Sequence, residues 1–184
     1  MQDLVDNSRT DKNTTHSYLE LYELLLRSRK NTATNVLEIG ICSGGSIKLW
    51  HDYFPKATIY GLDIISENDV WDELKNKERI KLYTSTDAYN INFFNSVLAK
   101  KKFDFMLDDG PHTLESMISY ITMYSKLLTD DGILILEDIQ SWEWIKVLRS
   151  AVPIELQKYV FVFDLRANKG RYDDIVLVIN KGWK

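Results

Sequence analysis

The chain has 184 residues, 45% hydrophobic and 27% charged, which suits one well-buried core and leaves little room for a second domain. A net charge of −4 argues against a nucleic-acid backbone as partner, and the single cysteine, Cys42, excludes an intramolecular disulfide and a thiolate zinc site. No apolar run reaches membrane-span length and residues 1–10 lack a signal-peptide core, so a soluble, cytoplasmic protein with no membrane partner is expected.

Taken in order, the chain alternates helix and strand patterns. Residues 14–29 place Tyr18, Leu21, Tyr22, Leu25 and Leu26 at helical spacing, with cap hydroxyls at Thr14, Thr15 and Ser17. Strands are expected at 35–39, 58–62, 80–83, 103–107 and 132–136, and helices at 46–54, 90–100, 114–128 and 142–149. Lys100, Lys101 and Lys102 read as the charged end of a helix. Two late strands, 159–163 and 175–179, are joined by a polar stretch with no helical pattern, so they should pair antiparallel. This order predicts one domain, 1–184. Its fold is a single Rossmann-like, doubly wound α/β sheet of seven mostly parallel strands, closed by a C-terminal antiparallel hairpin. In such sheets ligands bind beyond the carboxyl ends of the strands, where this chain carries a set of acids.

The first of these ends is Val36-Leu37-Glu38-Ile39-Gly40-Ile41-Cys42-Ser43-Gly44-Gly45-Ser46, a strand, a tight turn and a helix start. Glycines permit left-handed backbone and close ligand approach, and the helix start offers unpaired N–H groups. Cys42 stands where a dinucleotide fingerprint has its middle glycine, and the carboxylate of Glu38 would repel a phosphate. A cationic, phosphate-free ligand such as S-adenosylmethionine (SAM) suits the loop better. Asp63, about twenty residues on, ends the second strand where an acid can take two ribose hydroxyls.

The loop resembles motif I of class I SAM-dependent methyltransferases, and Tyr60-Gly61-Leu62-Asp63-Ile64 resembles their acidic ribose-binding strand end. Gly44-Gly45-Ser46 with Lys48-Leu49-Trp50 is closer still to macrolide-type sugar O-methyltransferases. Thr10-Asp11-Lys12, with His16 and Tyr18, is similar to that group's N-terminal segment, which folds over the cofactor; Arg9 stands where the group usually has glycine. The resemblance implies that residues 1–30 cover the active site. It also implies that Glu38, Gly40, Gly44, Ser46, Asp63, Thr10 and Lys12 bind SAM. The separate N-terminal domain of the larger macrolide enzymes has no counterpart here, which leaves three readings: an open site for a large glycan, a homo-oligomer that completes the pocket, or a fragment of a longer chain.

Asp108-Asp109-Gly110-Pro111-His112 follows the fourth strand, and Glu137-Asp138 follows the fifth. Neighbouring parallel strands lie about 5 Å apart, so these ends can meet around one ion. Asp109, Glu137 and Asp138 form a hard-oxygen set that suits Mg²⁺. The resemblance implies the same metal at these positions and matches His112 to the catalytic histidine, with Asp109 beside it in the catalytic set. Asp108 has two readings, a helix cap or a contact to SAM. Ser85, Thr86 and Asp87 fall where related enzymes contact adenine, and loop capping explains them equally well. His51 reads as structural, and His16 as a candidate cofactor or substrate contact. Gln140, Trp142 and Trp144 follow the metal acids, and Arg166, Arg171, Asp173 and Asp174 sit in the late loop. Tryptophan faces often stack on sugars, but packing is their commoner use, and an arginine–carboxylate pair fixing the loop is the simpler reading.

The function implied is methyl transfer from SAM to a hydroxyl of a sugar or glycoside. A catechol-type O-methyltransferase is the close rival, but that family usually has lysine at the place of His112 and Asp-Asn at the place of Glu137-Asp138. A nicotinamide-dependent oxidoreductase is disfavoured by the broken fingerprint. A non-catalytic SAM-binding module would need neither the metal acids nor the histidine.

Overall fold

The computed structural model describes residues 1–183, and the seven strands lie in the order β3-β2-β1-β4-β5-β7-β6. The chain divides into two compact units, the first closing at Asp87 and the second opening at Ala88.

In the first unit, β1 (Asn35–Ile39) pairs parallel with β2 (Thr58–Leu62), and β2 with β3 (Ile80–Tyr83). All three strands have the bounds read from the sequence, because each is a short apolar run that ends at a glycine, an acid or a hydroxyl cluster. The helix expected at 14–29 is shorter. It is α1 (Tyr18–Leu26), followed by a tighter turn at Arg27–Arg29. Before it, the N–H groups of Thr14, Thr15 and His16 all donate to the carbonyl of Asp11, which closes a turn instead of a helix. Ser17 stands at the N-cap without a side-chain cap bond. Helix α2 (Gly45–Tyr53) follows β1, and α3 (Asp72–Lys75) precedes β3. An aromatic series ties the N-terminal segment to α2: His16 stacks on Tyr18 at 5.0 Å, Tyr18 meets Tyr22 at 5.9 Å, and Tyr22 meets Trp50 edge-on at 5.5 Å.

In the second unit, β4 (Phe103–Asp108) pairs parallel with β5 (Leu128–Leu136). β5 begins earlier than expected, with a register irregularity between Phe103 and Phe105. Gly132 permits it, since a Cβ there would lie 2.9 Å from the carbonyl oxygen of Phe103. The helix expected at 90–100 is one short α-turn, α4 (Ile91–Phe93), capped by the Asn90 side chain and widened into a π-turn over Phe94–Leu98. Helices α5 (Leu114–Tyr124) and α6 (Trp144–Ala151) flank β5 in sequence. β6 (Val160–Asp164) and β7 (Ile175–Asn180) pair antiparallel, as expected. Two features were not visible in the sequence pattern. A short helix, α7 (Arg166–Lys169), lies in their connection, closed by Gly170 at φ 73°. β7 also pairs antiparallel with β5 and so stands between β5 and β6, which explains why every residue of this run is buried. Among the described residues, no helix is long and apolar enough to cross a membrane.

Candidate active site

The first unit carries the glycine loop. Gly40 (φ 96°), Cys42 (φ 43°) and Gly44 (φ 81°) all hold left-handed backbone. The N–H of Gly40 donates to the Leu62 carbonyl at 2.8 Å, joining the ends of β1 and β2. Asp63 occupies the end of β2 as expected, and its carboxylate is already engaged. Oδ2 accepts from the N–H groups of Ile41 (2.7 Å) and Cys42 (3.0 Å), and Oδ1 from that of Ile65 (3.2 Å). Each carboxylate oxygen has two acceptor positions, so holding the loop and receiving a hydroxyl are compatible roles.

Glu38 is fully buried. Its Oε2 accepts from the Trp50 indole at 2.7 Å, and the buried Lys12 ammonium lies 3.8 Å from Oε1. The cation facing Glu38 therefore comes from the chain's own N-terminal segment, at one of the positions expected to cover the loop. Thr10 accompanies it, with Oγ1 3.5 Å from the Lys12 N–H. Arg9 packs its backbone on the loop: a Cβ on Gly45 would lie 2.5 Å from the Arg9 carbonyl carbon and oxygen. Ser46 is buried in the first turn of α2. Ser85 (φ 49°) and Asp87 follow β3 and are both exposed; the N–H of Ser85 donates to the Ile65 carbonyl at 2.7 Å.

The second unit carries the acids and the histidine. Asp108 ends β4, buried, and accepts a 2.7 Å hydrogen bond from the Tyr89 hydroxyl. Burial pushes its carboxyl up to about 7, against the lowering effect of that donor and of the Gly110 N–H. The same burial, with Asp108 alongside, pushes the Tyr89 phenol above its ordinary range. Asp109, His112 and Asp138 converge. His112 Nε2 lies 3.6 Å from Asp109 Oδ1 and 3.7 Å from Asp138 Oδ2, and all three groups offer ligand atoms within 4.8 Å of one another. His112 (φ 54°) and Asp138 (φ 55°) are both left-handed. The turn holding His112 is fixed by the next residue: Thr113 and Ser116 form a reciprocal capping box at the start of α5. His112 Nδ1 is buried with no hydrogen-bond partner among the described residues. Glu137 is not in the converging group; it is buried, and its N–H lies 3.4 Å from the Asp108 carbonyl.

The spacing of Asp109, His112 and Asp138 fits a small hard cation, with water or substrate oxygens completing its shell. Gln140 braces this corner: its Nε2 donates to the Asp138 carbonyl at 2.9 Å, and its Oε1 accepts from the Tyr172 hydroxyl at 2.7 Å. Tyr89 and Tyr172 were not singled out from the sequence. Their partners lie 19 and 32 residues away, and no local pattern links a tyrosine to so distant an acceptor.

No protein-family model matches the chain. Mycinamicin VI 2''-O-methyltransferase of Micromonospora griseorubida is 28% identical over 137 residues, covering 70% of this chain and 33% of that protein. The 8-demethyl-8-alpha-L-rhamnosyl tetracenomycin-C 2'-O-methyltransferase of Streptomyces olivaceus is 25% identical over 143 residues, covering 73% and 36%. The chain is related to macrolide-type sugar O-methyltransferases. It spans about a third of the length of the curated relatives it matches. The solved MycE methyltransferase in complex with Mg, SAH and mycinamycin VI has a TM-score of 0.70 at 20% identity, over 91% of this chain and 50% of that one. That likeness identifies the fold as the class I methyltransferase type.

Proposed function

We propose that the chain transfers a methyl group from SAM to a hydroxyl of a sugar or glycoside, with Mg²⁺ at the acidic corner and His112 as general base. The convergence of Asp109, His112 and Asp138 carries this reading. A sugar hydroxyl is a poor nucleophile at neutral pH, so the site must remove its proton as the new bond forms. A neutral imidazole can accept that proton at Nε2 when its other nitrogen holds the ring proton. The acceptor oxygen then bonds to the methyl carbon, the carbon–sulfur bond breaks, and the sulfonium leaves as a neutral thioether.

Asp109 and Asp138 would hold the cation, with Glu137 as a further candidate ligand. Bound Mg²⁺ would supply positive charge to the developing alkoxide and orient neighbouring hydroxyls. Glu38, Gly40, Gly44, Ser46, Asp63, Ser85 and Asp87 would bind SAM, with Thr10 and Lys12 closing over it and Asp108 as a further contact. The proposal takes residues 1–184 as one methyltransferase domain. Its relationship to enzymes that act on glycosides supports the acceptor class.

Calorimetric titration of the purified chain with SAM, with and without Mg²⁺, tests the reading. Micromolar binding of SAM, followed by methylation of a glycoside only when Mg²⁺ is present, is expected. Absence of SAM binding in both conditions would remove the methyltransferase reading altogether.

A further inference from the structure

We propose that Trp142 and Tyr172 form the subsite that stacks on the apolar face of the acceptor's sugar ring. This rests on the methyltransferase reading and adds to it where the sugar sits. Among the described residues, half of the aromatic side chains are buried; of the large exposed hydrophobic side chains, only Trp142 (46% exposed) and Tyr172 (61%) are aromatic. Both lie on connections that leave the strands next to Asp138. Trp142 follows β5, and Tyr172 lies between β6 and β7.

Three contacts bring these connections together. The Ile139 N–H donates to the Ile175 carbonyl at 3.2 Å, the Tyr172 hydroxyl donates to Gln140, and the Arg166 guanidinium lies 5.7 Å from the Trp142 ring centre. Gln140 also donates to the backbone of Asp138, so one side chain ties the aromatic rim to the acidic corner. Each ring is backed by a cation, Arg166 for Trp142 and Arg171 for Tyr172, the latter at 5.9 Å. Each cation is in turn answered by a carboxylate: Arg166 grips Asp164 through two hydrogen bonds of 2.8 and 2.7 Å, and Arg171 pairs with Asp173 at 2.9 Å. The rim is therefore aromatic, with each of its two arginines paired to a carboxylate. That chemistry suits an uncharged pyranose, whose axial C–H groups meet the electron-rich ring face. An anionic ligand would have to displace carboxylates already in place.

The test uses the full chain with Mg²⁺ and SAM's product SAH, and methyl α-L-rhamnopyranoside as the probe. Saturation of protein aromatic protons is read by transfer to the sugar C–H protons. Transfer should be present in the wild type. It should fall about fivefold or more in W142A and in Y172A, the loss of one stacked ring. Y172F keeps the ring and should keep most of the transfer. SAM affinity and thermal midpoint serve as folding controls, because both side chains are exposed. Undiminished transfer in W142A and Y172A, with methylation of the glycoside intact, overturns the subsite and leaves the methyltransferase reading standing. A wild type that binds SAM but shows neither transfer nor methylation overturns the glycoside reading and the subsite together. A change in sedimentation mass of W142A with unchanged transfer makes the rim a self-association surface and also overturns the proposal.

Discussion

Cys42, Ser85, His112 and Asp138 are the four described non-glycine residues at positive φ, and each follows a strand end: β1, β3, β4 and β5. Left-handed backbone costs an L-residue about 1–2 kcal/mol, so the surrounding contacts must hold each one there. For His112 the Thr113–Ser116 box does so, and for Asp138 the Gln140 side chain does. The residue types at these ends were readable from the sequence, because acids and a histidine at strand termini suggest chemistry. Their backbone hands were not, because handedness there is set by contacts made after the sheet forms. Two predictions belong to this scale. His112→Ala should lower turnover of a glycoside about 10²–10⁴-fold while leaving SAM affinity unchanged, as expected for loss of a general base; steady-state rates and calorimetry read the two effects. Cys42→Val should lose about 1–2 kcal/mol in urea denaturation, since a β-branched side chain tolerates positive φ poorly.

Strands were the most legible elements. β1, β2 and β3 end where the sequence changes from apolar to glycine, acid or hydroxyl, and these boundaries need no tertiary knowledge. Helices were less legible where a distant group intervenes. The Asp11 carbonyl collects three N–H groups and delays α1, and the turn over Phe94–Leu98 widens while keeping both Phe94 and Leu98 buried. The glycine loop was legible as a tight strand-to-helix turn, but the reason for Gly45 was not. It is the backbone of Arg9, from a segment far earlier in the chain. Gly45→Ala should therefore displace the N-terminal segment, cost about 1–3 kcal/mol and speed proteolysis within residues 1–17. An unchanged digestion pattern and melting midpoint would contradict that packing. Trp50→Phe keeps an aromatic ring, though a smaller one, and removes the indole N–H from the buried Glu38 carboxylate. It should cost about 1.5–3 kcal/mol, measured by chemical denaturation.

At the scale of the whole molecule, the proposed reaction depends on a bound cation as well as on SAM. Removing divalent ions with a chelator should abolish glycoside methylation, and adding Mg²⁺ should restore it, while SAM binding persists. Loss of SAM binding on chelation would instead place the cation's role at the cofactor.

The position of β7 has a consequence for how the protein is made. β6 leaves the ribosome before β7, yet in the finished sheet it has no neighbour except β7. β5, also made earlier, keeps one side of its ladder open until the same strand arrives. Until residue 180 is free, the nascent chain thus exposes an unpaired, apolar strand edge, the kind of surface on which growing chains stick to one another. Translation stalled before residue 175 should yield aggregates rather than a shortened, folded protein, because β7 is the strand that joins β6 to β5.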